Sequence, residues 1–243
     1  MSRNLFHVTF FILLINLCTP ALPPQIKVCE EKSPRLAECL KNSIESLRPL
    51  LKTGKIAPGF VIDGLDPFLL GDISFSQGFE VSLFNVKVFG ASNLKIEKIR
   101  INTESFKIEL VAFMPKITTE SFYAMRWKIS LLDIKGQGNA YTILENVKIV
   151  LKLTGTDYQR QGATYLKIDN VQLKIQPQSI KLRFDNLFNG NKALEDVGNE
   201  VINQNVHLLS ANMLPLVEQA IGARIFKVAN QVFEKAPRSE FFP

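Results

Sequence analysis

Few residues of this 243-residue chain have types and spacing that suit catalysis. Asp63 and Asp66 could form a carboxylate pair, but Pro67 favours a turn at this point. His207 is the only histidine after the N-terminal segment, and the Gly-Gln-Gly run at 136–138 predicts a hairpin turn rather than a nucleotide loop. The sequence contains no G-x-S-x-G, H-E-x-x-H or Walker motif. We therefore predict a protein that is not an enzyme and that uses no metal or cofactor.

Aromatic side chains are abundant by contrast, with 18 Phe, 4 Tyr and 1 Trp. A Tyr or Trp joins an apolar body to one hydrogen-bonding group, which suits an ester, epoxide, ketone or hydroxyl on an otherwise apolar ligand. Ordinary core packing is the alternative interpretation of such residues. The side chains predicted to contact a ligand are Tyr123, Met125, Trp127, Ile129, Tyr141, Ile143, Phe79 and Leu83.

The segment that would position these residues, from about 60 to 184, has the period-two pattern of β-strands. Apolar residues alternate with Lys, Glu, Asn, Gln and Ser, which indicates an antiparallel sheet with one covered face and one solvated face. The alternation changes phase after Leu83, after Ile96 and after Ile168. A strand keeps one face buried across such a slip only if it bulges or the sheet curls, so the sheet is predicted to be long and strongly curved.

Two helical patterns flank this segment. Ser33 and Pro34 are typical of a helix start, apolar residues then repeat at helical spacing over 36–51, and Gly54 ends the pattern. A second pattern over 194–235 would be about 60 Å long if unbroken. Its apolar stripe consists of Leu214, Val217, Ile221, Ile225, Val228 and Val232. We therefore predict an α+β fold: a long, strongly curved antiparallel sheet wrapped around a long C-terminal helix, an elongated roll with an N-terminal helix.

The N-terminal segment predicts the compartment. Residues 1–21 contain one charge, Arg3, then an apolar run and small residues, which are the features of a secretory signal peptide. The alternative is a membrane anchor, but the run of about 14 residues is short of the ~20 that cross a bilayer. Cleavage would lower Lys plus Arg from 29 to 28 against 23 Asp plus Glu, so the net charge would fall from +6 to +5. Residues 22–243 contain no linker and are predicted to form a single domain.

Cleavage would also leave two cysteines, Cys29 and Cys39. An even count in a secreted chain predicts a disulfide, with two free thiols as the alternative. The positive charge does not indicate nucleic-acid binding, because basic and acidic residues alternate along strands, as at 95–98. No other apolar run approaches membrane-spanning length, so stable membrane insertion is not expected.

Short motifs are distributed along nearly the whole chain. They are GLDPF at 64–68, LFNGNKAL at 187–194, Asn199, Asn203 and Asn205, Pro215, PRSEFFP at 237–243, and the pair Cys29 and Cys39. Together they resemble the insect takeout and juvenile-hormone-binding protein family, with one departure at Val206, where family members often have Trp. The resemblance implies a tubular lipid-binding fold and a secreted carrier in haemolymph or another extracellular fluid. It also implies an internal tunnel for juvenile hormone, another terpenoid or a fatty molecule, and a link to circadian, feeding or sensory regulation.

A competing function is that of a membrane-surface lipid-transfer or microbial-lipid-binding protein, which the positive charge and the tubular fold permit. A basic cluster with exposed aromatic residues at one tip would favour it. We expect a small hydrophobic ligand as the partner, a monomer, and no nucleic acid. The helix that carries Cys39 is a candidate gate, because it is terminal and tethered rather than part of the sheet.

Overall fold

Two very long antiparallel strands form the centre of a seven-stranded sheet. A computed structural model describes residues 22–58, 60–76, 78–129 and 132–243. The predicted signal peptide, 1–21, lies outside the described residues. The strands are β1 (Lys55–Ala57), β2 (Phe60–Val61), β3 (Phe68–Phe75), β4 (Glu80–Phe89), β5 (Lys95–Asn102), β6 (Lys107–Ile129), β7 (Leu132–Arg160), β8 (Ala163–Gln176) and β9 (Ser179–Phe184). The helices are α1 (Leu36–Thr53), α2 (Lys192–Gln204), α3 (Val206–Phe233) and α4 (Arg238–Phe241).

All strand pairs are antiparallel, as predicted. β6 pairs with β7 along its whole length, β4 and β5 pair with successive parts of β6, and β9 and β8 pair with successive parts of β7. β3 extends the sheet beyond β4, while β1 and β2 form a separate two-stranded ribbon. We call the end near the β6–β7 connection the hairpin end. We call the end near the β7–β8 connection, where Leu22 and the C-terminal residues Phe241 and Phe242 lie, the termini end.

Each predicted phase slip coincides with an irregularity in strand pairing. The register shifts between Phe84 and Lys87 in β4 and between Ile96 and Lys98 in β5. The third shift lies between Thr154 and Gly155 of β7, opposite β8. Because these bulges return the apolar residues to one face, the strongly curved sheet is confirmed.

The prediction of a hairpin turn at 136–138 was wrong. Gly136 and Gly138 lie inside β7, where the segment after β9 crosses the sheet at close range. A Cβ atom at Gly136 would lie 2.9 Å from the carbonyl oxygen of Asn186, and one at Gly138 would lie 2.5 Å from that of Asp185. The glycines are therefore explained by backbone crossing rather than by chain reversal.

The helices also differ from the predicted boundaries. α1 begins at Leu36, two residues later than a Ser33 cap requires, because residues 33–36 form a turn in which Leu36 N–H donates to Ser33 O at 3.1 Å. Gly54 ends α1 in the left-handed conformation, as predicted. The C-terminal pattern is not one helix but two, α2 and α3, separated at Asn205. The Asn205 side chain donates to Val201 O at 2.8 Å and so competes with the helical hydrogen bonds.

Polar side chains of α2 and α3 attach these helices to the open edge of the sheet. Asn199 and Asn203 each donate to and accept from one β9 residue, Phe184 and Leu182 respectively. The two asparagines are four residues apart, which is about 6 Å along a helix, and their two β9 partners are two residues apart, which is about 6.6 Å along a strand. The two distances match, so both asparagines can reach their partners at once. Farther along, Asn230 and the buried Glu218 bind backbone groups of β8. These side chains satisfy edge groups that would otherwise be free to pair with another chain.

Candidate functional site

An apolar interior runs between the curved sheet and the helices. At the hairpin end, the buried residues are rich in aromatic side chains and include Phe75, Phe79, Tyr123, Met125, Trp127 and Phe184; we call them the hairpin cluster. The central cluster is purely aliphatic and includes Ile99, Leu110, Ala112, Val147 and Ile175. At the termini end, Cys29, Leu36, Phe106, Ile168, Phe241 and Phe242 belong to the termini cluster.

The three clusters are continuous. Val88, Val217 and Ile221 pack against both the hairpin cluster and the central cluster. Leu40 and Ile108 connect the central cluster to the termini cluster in the same way. All five connecting residues are only half-buried, and so is every residue of the predicted α3 stripe. The middle of the interior is therefore apolar along its length but incompletely covered by protein atoms.

The residues predicted to contact a ligand divide between two faces of the sheet. Phe79, Tyr123, Met125 and Trp127 are buried members of the hairpin cluster, and half-buried Leu83 packs against it. Ile129 ends β6, and its side chain lies outside the described part of the structure. Tyr141 is 37% exposed and lies beside inward-facing Ala140, so it occupies the outer face together with half-buried Ile143. Ligand contact by any of these residues stays a prediction.

Tyr123 uses its hydroxyl within the protein. Its O–H donates to Asp185 O at 2.8 Å, and its ring makes an edge contact with Phe184 at 4.8 Å between centroids. Burial raises the pKa of Tyr123 well above its ordinary value, with the negative charges of Glu195 and Asp185 adding to the effect. The phenol is therefore neutral at physiological pH. Its oxygen can still accept a hydrogen bond, but its proton is committed to Asp185.

Phe79 lines a small opening at the hairpin end, and its ring packs against that of Trp127. Their ring centroids are 5.5 Å apart. A pocket of about 110 Å³ beside Phe79 is lined by Ser74, Phe75, Ser76, Asn212 and Leu216. It combines aromatic and aliphatic surface with hydroxyl and amide groups, the composition expected where a mostly apolar molecule is oriented by a few polar contacts.

A larger cleft of about 450 Å³ opens at the termini end. It is lined by Phe60, Val61, Ile62, Arg160, Gln231, Val232, Glu234 and Lys235. Its size falls within the roughly 300–1,000 Å³ typical of small-molecule sites. Sequence reasoning missed this cleft because its lining residues come from β2, the end of β7 and the end of α3, which no local pattern connects.

The family assignment follows from comparison of the whole chain. The family model described as "Haemolymph juvenile hormone binding protein (JHBP)" matches residues 8–243. The chain belongs to this family. The resemblance seen in the short motifs is thus confirmed, and the haemolymph juvenile hormone binding proteins are carriers of small hydrophobic ligands.

Individual relatives of this family member are distant. A protein of Schistocerca gregaria named "Putative beta-carotene-binding protein" is 23% identical over 222 residues, which cover 90% of this chain and 88% of that protein. The crystal structure of Epiphyas postvittana Takeout 1 matches with a TM-score of 0.78 at 22% identity, covering 89% of this chain and 99% of that chain. The second match confirms the predicted fold, the curved sheet with its N-terminal and C-terminal helices.

Three further findings concern the described residues of this juvenile hormone binding protein family member. Among the described residues, no group of three or more His, Cys, Asp or Glu side chains is placed to hold a metal ion. No described helix is both long enough and apolar enough to span a membrane. The predicted bond between Cys29 and Cys39 is present, with the two Cα atoms 5.9 Å apart.

Proposed function

We propose that this protein is a secreted carrier that holds one small, largely apolar molecule inside the roll. The observation that carries the proposal is the continuous apolar interior, whose connecting residues Val88, Val217 and Ile221 are only half-buried. Uncovered apolar surface at this position is costly in water, and a ligand that covers it gains about 25 cal/mol per Å². Membership in the juvenile hormone binding protein family supports the same function.

The ligand class follows from the lining. The interior offers aliphatic and aromatic surface but few polar groups, so we propose juvenile hormone, another terpenoid or a fatty molecule. The name of the Schistocerca gregaria relative, "Putative beta-carotene-binding protein", supports an extended isoprenoid as a further member of this class. A link to circadian, feeding or sensory regulation stays a prediction of the family resemblance.

The first experiment is native mass spectrometry of protein secreted from insect cells, followed by organic extraction. We expect one apolar molecule per protein chain. N-terminal sequencing of the same sample tests secretion, because cleavage of the signal peptide would leave Leu22 as the first residue. A protein that arrives empty and also fails to bind juvenile hormone or fatty acids would contradict the carrier function.

Two matched variants of α3 localise the binding site. Ile221→Trp adds bulk between the hairpin and central clusters, whereas Ala223→Trp adds the same side chain at an exposed position of the same helix. If the interior holds the ligand, the first variant lowers the affinity for the neutral probe N-phenyl-1-naphthylamine at least tenfold, and the second leaves it unchanged. If both variants bind the probe as tightly as the unmodified protein does, the ligand binds elsewhere.

The alternative function, lipid transfer at a membrane surface, is supported by the termini end. There Val61 is 68% exposed, close to the cations Arg160 and Lys235. Sedimentation with vesicles of anionic phospholipid separates the two functions, because a carrier remains in the supernatant with its ligand. Size-exclusion chromatography with light scattering tests the predicted monomer.

A further inference from the structure

The cleft at the termini end combines two cations with an apolar wall. We propose that it binds the carboxylate head of a long-chain fatty acid or a similar single-chain amphipath. The proposal rests on the carrier function and narrows its ligand class from apolar molecules in general to anionic amphipaths. Arg160 and Lys235 would hold the head, and Phe60, Val61 and Val232 would contact the first part of the chain.

Within the described part of the chain, Arg160 and Lys235 have no acidic partner in an ion pair. No ion pair among the described residues includes Arg160 or Lys235. Nearby Arg224 and Arg238, by comparison, are paired with Asp63 and with Glu31 and Asp157. A carboxylate that enters the cleft therefore meets unpaired positive charge rather than displacing an existing partner.

Local contacts hold both cations over the cleft. Arg160 donates one N–H to the main-chain oxygen of Glu234 at 3.4 Å, and its guanidinium lies 5.1 Å from the centre of the Tyr165 ring. The remaining guanidinium N–H groups can donate to a carboxylate. Lys235 Nζ lies 5.0 Å from the centre of the Phe60 ring, so its ammonium sits directly at the apolar wall.

The net charge of the cleft and its apolar wall both match a single-chain acid. Arg160 and Lys235 face one acidic lining residue, Glu234, which leaves one net positive charge. The apolar wall is unusually accessible, because Val61 is 68% exposed. Val232 lines the cleft and also packs against the termini cluster, so the apolar wall of the cleft is continuous with that cluster.

The test compares dodecanoate with its uncharged methyl ester by isothermal titration calorimetry, on delipidated full-length secreted protein. The unmodified protein is expected to bind dodecanoate about tenfold more tightly than the ester, as two charge-assisted contacts allow. In the double variant Arg160→Gln/Lys235→Gln this preference disappears, while affinity for the ester is unchanged. The double variant Lys98→Gln/Lys152→Gln removes two exposed lysines outside the cleft and should keep the preference.

The outcomes separate this proposal from the carrier function. Equal affinity of the unmodified protein for acid and ester would overturn the carboxylate site and leave the carrier intact. Loss of the preference in both double variants would show that net charge, not the cleft, attracts the acid. Failure to bind either probe would contradict the carrier function itself. If the double cleft variant is unstable, the single variants Lys235→Gln and Arg160→Gln are measured instead, and an undiminished preference for the acid in both overturns the proposal.

Discussion

The two ends of the roll close the apolar interior by different means. At the hairpin end, the chain after β9 crosses β7 with neutral hydrogen bonds and close backbone contacts: Leu187 is fully buried, and Asn186, Phe188, Asn189 and Gly190 all have positive φ. At the termini end, the interior is closed by a disulfide and by Arg238, which joins Glu31, Thr103 and Asp157. One end depends on backbone shape, and the other depends on cross-links and charge.

The difference reflects how far apart in sequence the joined segments are. Arg238 is 207 residues from Glu31 and 135 from Thr103, so its contacts close very long loops. Long-range closure costs conformational entropy, which the charge-assisted hydrogen bonds of Arg238 offset, whereas the disulfide joins residues only 10 apart. At the hairpin end the joined residues are closer in sequence: Asn186 and Glu195 are nine residues apart, and Tyr123 and Asp185 are 62 apart. We therefore expect the two ends to respond to different perturbations, and Trp127, the only tryptophan, reports on the hairpin end alone.

The largest effect is expected from Gly138→Ala. The new Cβ would lie 2.5 Å from the carbonyl oxygen of Asp185, which also accepts the Tyr123 hydrogen bond, so the crossing backbone must move. We expect a loss of about 3 kcal/mol in the free energy of unfolding and a shift of Trp127 emission to longer wavelength. At the termini end, Gly162→Ala meets no atom within 4 Å and costs about 1 kcal/mol through its positive φ alone. Urea unfolding of both variants measures these losses. Similar losses in the free energy of unfolding would contradict the role that we assign to the backbone crossing at Gly138.

The next effect is expected from the double variant Cys29→Ser/Cys39→Ser. Loss of this cross-link costs about 2.7 kcal/mol in the chain-entropy model for a loop of this size. Because Cys29 belongs to the termini cluster, hydrogen exchange should increase in α1 and α4, whereas Trp127 emission stays unchanged. The same experiment with ligand tests whether α1 is a gate. A change confined to the hairpin end would reverse the assignment of roles to the two ends.

A third, smaller effect distinguishes a partly buried charge from an exposed one. Burial lowers the pKa of Arg238, but the hydrogen bonds that it donates to Glu31 and Asp157 outweigh this, so the pKa lies above its ordinary value and the group stays charged. Arg238→Gln should cost about 2 kcal/mol at low salt and less at high salt. Arg183→Gln removes a mostly exposed pair with Asp185 at the hairpin end and should change little. Thermal unfolding at two salt concentrations measures both losses of stability. Equal losses with equal salt dependence in the two variants would contradict this prediction.

These contrasts also show which parts of the structure a sequence can predict. The bulges near Phe84, Ile96 and Gly155 were predictable because burial of one face demands a compensating irregularity wherever the period-two pattern slips. The glycines at 136 and 138 were misinterpreted because a glycine in a turn and a glycine under a crossing chain are identical in sequence. The break at Asn205 was missed because the apolar period continues across it.

The candidate site was predictable only in part. The period-two pattern brought Phe79, Tyr123, Met125 and Trp127 together, since the last three share one face of β6 and Phe79 immediately precedes the neighbouring strand β4. It could not tell that Tyr141 lies on the outer face, because strand pairing, rather than composition, determines which set of alternate residues points inward. The cleft cations Arg160 and Lys235 come from separate elements, so only the folded structure brings them together.

The smallest effect concerns Glu195, a nearly buried carboxylate that makes an ionic contact in the closure of the hairpin end. Its side chain is only 4% exposed, and its carboxylate accepts hydrogen bonds from Lys192 Nζ and from Asn186 N–H, both at 2.7 Å. The hydrogen bond from Lys192 is the main reason that the pKa of Glu195 lies below its ordinary value of 4.5; burial opposes the shift and the Asn186 N–H adds to it. A carboxyl group whose pKa is lowered by folding stabilises the native state above its unfolded-state pKa, and this stabilisation is lost as pH falls through the lower, folded-state value.

Trp127 emission during urea unfolding should therefore show that the hairpin end weakens as pH is lowered from about 5 to about 3. In Glu195→Gln this part of the pH dependence disappears, because Gln cannot ionise, although its amide oxygen can still accept from Asn186 N–H. Glu200→Gln changes an exposed residue of the same helix and should retain the dependence. If Glu195→Gln has the same pH profile as the unmodified protein, Glu195 is not the source, and the hairpin end is closed by backbone shape and neutral contacts alone.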